Sequence, residues 1–240
     1  MSQPEIEISI VLPAYEEAEN LKLLLPQLRA VLGGLSPGFE IVVVDTEQPR
    51  DATPEVCREN DVRYLPREGG SFYGDAIRTG IRHSLGKYII CMDADGSHDP
   101  DFLPQLWKYR GDYDLVIASR YVPGGKTENS AILIGMSLMV NIAFRLVLGL
   151  RCHDVSNSFR LYQGDALRAL TLECNHFDVV EEILVKLSSS RPSYRIMEVP
   201  FTFKKRHAGK TKRDLVSFAL NYLGTLCRLY RLKQKAKKQS

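Results

Sequence analysis

Two aspartates one residue apart follow a short apolar run in Tyr88-Ile89-Ile90-Cys91-Met92-Asp93-Ala94-Asp95-Gly96-Ser97-His98-Asp99-Pro100. The run reads as a buried strand that breaks into a polar turn, and open α/β sheets place their ligands at the carboxyl ends of such strands. On locally extended backbone Asp93 and Asp95 share one side, so their oxygens can converge on a hard divalent cation that still holds waters and a diphosphate. A second reading needs no ligand: an Asx-capped turn leading into the helix that Pro100 opens. His98 is open to two roles as well, a base or a packing residue behind the turn.

The elements that would position these acids alternate at short intervals. Strand patterns are expected over residues 6–12, 40–44, 62–65, 88–92 and 115–118, and helix patterns over 18–32, 53–60, 73–84 and 100–110. Alternation of this kind over more than a hundred residues predicts an α/β fold with a mostly parallel central sheet and helices on both faces. Several strands end in polar groups: Pro13-Ala14-Tyr15-Glu16-Glu17, Asp45-Thr46-Glu47, Asp93-Ala94-Asp95 and Ser119-Arg120-Tyr121. Those ends would line one crevice.

With 240 residues, 44% apolar and 25% charged, the chain can bury a proper core and is neither disordered nor collagenous. The net charge of +3 is unevenly spread, because no acidic residue follows Asp214 while Arg228, Arg231, Lys233, Lys235, Lys237 and Lys238 do. Such a tail seeks an anionic partner. Five scattered cysteines with no C-x-x-C pair argue for free thiols in a reducing compartment, and the polar, acidic start carries no signal-peptide pattern. A cytoplasmic location is expected.

The order of Val11-Leu12-Pro13-Ala14-Tyr15-Glu16-Glu17, Val42-Val43-Val44-Asp45, Gly74-Asp75-Ala76, Met92-Asp93-Ala94-Asp95 and Ser119-Arg120-Tyr121 resembles the family 2 glycosyltransferases, which have the nucleotide-diphospho-sugar transferase (GT-A type) fold. Within them the chain is most similar to the dolichol-phosphate mannose synthase branch. The similarity runs on through Asp154-Val155-Ser156-Asn157-Ser158-Phe159-Arg160, Glu198-Val199-Pro200-Phe201 and Arg206-His207-Ala208-Gly209-Lys210-Thr211-Lys212.

That resemblance implies roles for particular residues. Pro13, Tyr15, Glu17 and Asp45 match nucleotide contacts: the Tyr15 ring can stack on a base, and the two carboxylates can accept from base N–H or ribose hydroxyl groups. Glu17 is equally explained as a carboxylate favouring a helix N-terminus. Asp93 matches a ribose or metal contact, Asp95 the strongest metal position and Ser97 a further metal-site polar group, with Mg²⁺ or Mn²⁺ as the ion. Arg120 and Arg206 match contacts to the donor diphosphate or acceptor phosphate, with Lys212 closing the R-x-x-G-x-T-K spacing. The glycine-rich loop over 67–80 lies near the nucleotide-sugar in relatives. One departure stands out: relatives usually carry two aspartates and a small turn after the second strand, whereas this chain has Asp45-Thr46-Glu47-Gln48-Pro49-Arg50-Asp51.

On the acceptor side, residues 131–150 are strongly apolar, but Asn141 and Arg145 interrupt them and a single span would separate the Arg206 cluster from Asp95. An interfacial amphipathic helix or a core helix is expected instead. Ser137 and Asn141 match acceptor-phosphate positions, while Ile132, Leu133 and Leu138 stand where relatives carry arginines. Glu181 and Glu182 fall where relatives place an acid beneath the acceptor; they could serve as a base for a hydroxyl acceptor or be ordinary helical glutamates. Residues 1–212 are read as the catalytic domain and 213–240 as an amphipathic helix with a basic tail. The resemblance thus implies a metal-dependent, inverting transfer of a sugar, mannose from GDP-mannose, to a polyprenyl phosphate. Two alternatives stay open, a soluble hydroxyl or nucleoside acceptor with a UDP- or other nucleotide-sugar, and an inactive sugar-nucleotide-binding protein. Peripheral membrane contact, a small membrane subunit and a homodimer are compatible partners, and nucleic acid is not expected.

Overall fold

A computed structural model describes residues 5–204 and 215–239. The first four strands and their helices alternate as expected: β1 (Ile8–Pro13), α1 (Ala18–Leu35), β2 (Phe39–Asp45), α2 (Thr53–Glu59), β3 (Arg63–Pro66), α3 (Tyr73–His83) and β4 (Tyr88–Cys91). The helix expected over 100–110 is a 3₁₀ turn, Pro100–Phe102, followed by a shorter α4 (Leu103–Lys108). Asp99 opens that turn by accepting from the Asp101 N–H at 3.1 Å. The chain continues through β5 (Leu115–Ser119), β6 (Lys126–Thr127), α5 (Ala131–Leu148), β7 (Arg160–Gln163), α6 (Gly164–Arg168), α7 (Val179–Ser190), β8 (Ile196–Pro200), β9 (Thr202–Phe203) and α8 (Leu215–Gln239).

Seven strands form one sheet in the order β3-β2-β1-β4-β7-β5-β8, and β6 pairs with β9 beside it. All neighbours run parallel except β7, which is antiparallel to both β4 and β5. The chain leaves β1 toward β2 on one side and returns to β4 on the other, so the topological switch point falls between β1 and β4. The antiparallel β7 has a second consequence: its entry, not its exit, lies at the carboxyl edge of β4 and β5. The loop before Arg160 is thereby delivered to the same edge as Asp93.

Successive side chains alternate between the two sheet faces. Ile10, Leu12, Ile90, Met92, Val116 and Leu161 pack with Leu21, Leu25, Leu28 and Leu32 of α1 on one side. Val11, Ile89, Cys91, Leu115, Ile117 and Tyr162 pack with Ile77, Ile183 and Leu184 on the other. A sheet covered on both faces buries nearly every position, which is why β1, β4 and β5 read as near-continuous apolar runs; the buried Ser9 in β1 is tolerated because its hydroxyl donates to Glu40 at 2.6 Å. α3 comes unusually close to the sheet because it presents Gly80 there; a Cβ at that position would lie 2.3 Å from Val11 Cγ1.

Helix α5 is long and apolar enough to cross a membrane, with mean hydropathy 2.1, yet only 17% of it is buried. Asn141, Phe144 and Leu148 face inward, and Phe144 meets Tyr222 of α8 edge-on at 5.9 Å. The outward side carries Ile132 (70% exposed), Met139, Ile142 and Leu146 (75% exposed). The spacing of those four places them on one stripe. α8 is tied to the body by Thr225 and Arg228, which both donate to Asp178 Oδ2, at 2.7 and 2.8 Å.

Candidate active site

The nucleotide side of the crevice is built on the ends of β1, β2 and β3. Pro13 closes β1 and is half-buried, and the chain turns sharply at Glu16, whose φ of 57° is a left-handed conformation that L-residues seldom adopt. The turn leaves Tyr15 outward, 43% exposed, with Arg50 donating to its hydroxyl at 2.9 Å. Glu17 accepts from Asn20 Nδ2 one turn into α1. Asp45 is buried at the floor, where Tyr64 donates to it at 3.4 Å, and burial raises its carboxyl above the usual range.

Two side chains for which the sequence suggested no role organise this side. Arg67 donates to the carbonyls of Asp45, Ser71, Phe72 and Ala14, so one buried guanidinium ties the ends of β1 and β2 to the glycine-rich loop. Burial lowers it, against the pull of Asp45 and Asp75. Asp51 accepts from the Ala18 N–H at 2.8 Å and the Thr53 N–H at 3.0 Å, capping α1 and α2 together. The unusual stretch after Asp45 therefore braces two helix starts. In the loop itself Asp75 accepts from the Phe72 N–H at 2.9 Å at the start of α3, its own N–H donates to the Phe72 carbonyl at 3.2 Å, and its carboxylate pairs with Arg78.

Beyond β4 the chain forms the acid turn. Gly96 has a φ of 78°, which lets the backbone fold back so that Ser97 reaches Asp95. Asp95 Oδ1 accepts from the Ser97 N–H at 3.0 Å and from Ser97 Oγ at 2.6 Å, both residues being buried. Ser97 thus orients Asp95. Asp93 is more open, its side chain 22% exposed, and its Oδ1 accepts from Ser158 at 3.0 Å and Tyr73 at 3.3 Å. Tyr73 stacks on Phe177 at 4.2 Å. His98 is fully buried, its ring stacked on Phe159 at 4.8 Å and walled by Phe201 and Phe203. Its Nδ1 accepts from the Asp93 N–H at 2.9 Å and burial lowers its pKa, so it is a neutral packing residue behind the turn.

Arg120 lies across the crevice from the acids at the end of β5. Its Nε and Nη2 donate to the two oxygens of Asp154 at 2.8 and 2.7 Å, and Nη2 also reaches Ser156 Oγ at 2.9 Å. This bidentate pair fixes the guanidinium plane. Asn141 joins α5 to the same loop, donating to Ser137 O at 2.7 Å and to Ser156 Oγ at 3.3 Å while accepting from the Val155 N–H at 2.6 Å. Ser137 is half-buried one turn earlier.

The two α7 glutamates have different environments. Glu182 accepts from the Glu173 and Cys174 N–H groups and from Lys186, which anchors the preceding loop. Glu181 is fully buried, neither of its oxygens has a hydrogen-bond partner among the described residues, and burial raises its carboxyl to about 8. Arg206 and Lys212, expected at the phosphates, lie outside the described residues. The structure therefore gathers Pro13, Tyr15, Glu17, Asp45, Asp93, Asp95, Ser97 and Arg120 around the carboxyl edge of the sheet. Ser137 and Asn141 stand beside the Arg120 loop, and both glutamates are packed into α7.

A doubly covered sheet with a carboxylate pair at its switch point defines this as a GT-A type α/β protein, and comparison with known proteins is specific. The profile of glycosyl transferase family 2 matches residues 9–171, and the chain belongs to that family and is a glycosyltransferase. An undecaprenyl-phosphate mannosyltransferase of Micrococcus luteus is 33% identical over 221 residues, covering 86% of this chain and 87% of that protein. A dolichol-phosphate mannosyltransferase of Pyrococcus furiosus is 31% identical over 217 residues, covering 86% of this chain and 59% of that one. Among solved structures, the glucosyl-3-phosphoglycerate synthase of Mycobacterium tuberculosis with Mn²⁺, UDP and glucosyl-3-phosphoglycerate superposes with a TM-score of 0.71 at 18% identity, over 93% of this chain and 80% of that one. The same enzyme with Mg²⁺ and UDP gives a TM-score of 0.71 at 17% identity, over 93% and 79%.

Proposed function

We propose that the chain transfers a mannosyl group from GDP-mannose to a polyprenyl phosphate with inversion, working at the cytoplasmic face of a membrane. The two curated relatives are named for mannosyl transfer to undecaprenyl and dolichol phosphate, which supports this reading. The observation that carries it is the junction of the site with α5. That helix turns an apolar stripe of Ile132, Met139, Ile142 and Leu146 outward, while its inner face, through Asn141 and Ser156, reaches the loop that holds Arg120. A lipid tail lying along the stripe would bring its phosphate to the cationic side of the crevice.

The reaction follows from the groups present. Tyr15 offers its ring to the guanine, and Asp45 and Glu17 accept from base and ribose. An acceptor phosphate is already anionic, so it attacks the anomeric carbon without a general base, and neither α7 glutamate is needed for that step. Arg120, with Arg206 and Lys212, orients phosphate oxygens and opposes their charge. Among the described residues no group of three or more His, Cys, Asp or Glu side chains is placed to hold a metal ion, so an ion at Asp93 and Asp95 would take its other ligands from water and substrate. Asp93 and Asp95 are hard oxygen donors on one turn at a strand end, the ligand type that suits Mg²⁺ or Mn²⁺, ions that keep several waters and take up substrate phosphates. When bound there, the ion supplies positive charge to the departing diphosphate.

Calorimetric binding of GDP, UDP and TDP with and without Mn²⁺, on wild type and Asp95→Ala, tests the donor. Metal-dependent binding of GDP alone, lost in the variant, is expected. Undecaprenyl phosphate and a soluble phosphorylated hydroxyl acceptor are then compared. Transfer to the soluble acceptor only would overturn the lipid reading, and equal binding of metal and GDP by the variant would overturn the metal assignment.

A further inference from the structure

The geometry points to Asn157 as a positioning residue, which acts through His98 to set the Asp93–Asp95 turn against Arg120. Three hydrogen bonds, the last two fully buried, run in one direction beneath the crevice floor. The Asp93 N–H donates to His98 Nδ1 at 2.9 Å. An imidazole that accepts at Nδ1 and is neutral carries its proton on Nε2, and that N–H donates to Asn157 Oδ1 at 3.1 Å. Asn157 in turn donates through Nδ2 to the Ala118 carbonyl. Because the Asn157 amide both accepts and donates in this chain, its orientation is fixed by its partners.

The relay starts on the backbone of a proposed metal or ribose ligand and ends two residues before Arg120. It bridges the exits of β4 and β5, which are not neighbours in the sheet because β7 stands between them. Asn157, on the loop entering β7 and 2% exposed, spans that gap together with His98. His98 and Asn157 have no polar contact with solvent to fall back on, so cutting one link leaves buried groups unpaired and frees the turn to shift. Phe159 stacks on the His98 ring and keeps it in plane with the relay. Neighbouring residues of the same loop act on the same two partners by other routes: Ser158 on the Asp93 carboxylate and Asp154 on the Arg120 guanidinium. The inference rests on the proposed transfer reaction only for its kinetic readout.

The test compares Asn157→Ala, His98→Asn and the double variant at a temperature where all are folded. His98→Asn keeps an acceptor near the place of Nδ1 and removes the Nε2 donor, so it cuts the same link as Asn157→Ala. Each single variant is expected to lower kcat by about 100-fold, the cost of misplacing reacting groups by about 1 Å, with a much smaller change in donor KM. The double variant should be no slower than the worse single one. Multiplying losses would mean two independent effects and overturn the relay. Leu32→Ala, a cavity at the far end of α1, serves as the stability control: if it lowers kcat as much at equal loss of Tm, Asn157 is merely structural. Nitrogen-15 NMR of the wild-type imidazole should show the proton on Nε2, and a proton on Nδ1 overturns the relay. If wild type turns over no GDP-mannose, the donor reading has failed, and the imidazole spectrum decides the relay alone.

Discussion

Glu181 should make the protein lose stability as pH rises through neutrality. Its carboxyl is completely buried, without a hydrogen-bond partner among the described residues. Burial raises its pKa from 4.5 to about 8, against smaller pulls from its own amide and from Arg160. In the unfolded chain the group gives up its proton near the lower value, so between these two pH values the native state holds the extra proton. Stability must then fall as pH rises across that window, and the loss is complete above the upper value. At 1.36 kcal/mol per tenfold change in proton affinity, the full loss is roughly 5 kcal/mol, an upper figure because water entry and relaxation soften the cost of a buried charge. Glu181→Gln keeps the shape and removes the titration. Urea unfolding from about pH 5 to about pH 9 should show the two proteins within about 1 kcal/mol at the acid end and the variant ahead by about 2–5 kcal/mol at the alkaline end. Parallel curves would refute the reasoning, since they would mean that Glu181 is already ionised in the native state at low pH or is paired.

Three further outcomes concern the Arg120 pair, the start of α3 and the outer face of α5. Asp154→Asn breaks the buried pair with Arg120 and should cost about 3–5 kcal/mol in chemical denaturation, with kcat falling as the guanidinium loses its plane. Gly74→Ala places a Cβ 2.2 Å from the Cys174 carbonyl, so the 174–177 loop must move, with a loss of about 1–3 kcal/mol read as a lower Tm and a slower enzyme through the displaced Tyr73–Phe177 stack. Leu146→Glu, at a site 75% exposed, should leave stability within about 0.5 kcal/mol yet weaken flotation with anionic vesicles by about tenfold or more; unchanged flotation would separate α5 from any membrane.

The parallel half of the sheet was legible because doubly covered strands write themselves as apolar runs broken by polar turns, and the acid turn stood at such a break. β7 was not. Its four residues begin with a fully buried arginine, whose Nη1 and Nη2 donate to the carbonyls of Val180 and Val155, at 3.1 and 2.7 Å. Local patterning reads a charge as a loop or surface, and only the tertiary acceptors reverse that. The same limit hid Asp154, Asn157 and Ser158 as partners of Arg120, His98 and Asp93, since those contacts join positions 34 to 65 residues apart. Residue type was enough to propose Asp95 and Arg120. It could not say that Ser97 would donate its hydroxyl to Asp95, or that Glu182 would be held by backbone amides. The outward stripe of α5 was visible as apolarity, but the inward face had to be seen docked on α8 before the exposed one had a direction.

The insertion of β7 also constrains how the molecule is assembled in time. β1 to β4 pair only with one another and, at one edge, with β7, so the half of the sheet that bears Asp93 and Asp95 can collapse as soon as it is made. β5 has no such option: both of its sheet neighbours, β7 and β8, come later in the chain. Forty residues, 120–159, including α5, separate β5 from β7, and closing that loop is a slow, non-local event. During synthesis the Arg120 strand must therefore wait with both edges bare, while an apolar helix emerges behind it. This is the interval in which the nascent protein is most exposed to aggregation. Variants that weaken β7 should show it first as poor soluble yield, before any loss is measured in the purified enzyme.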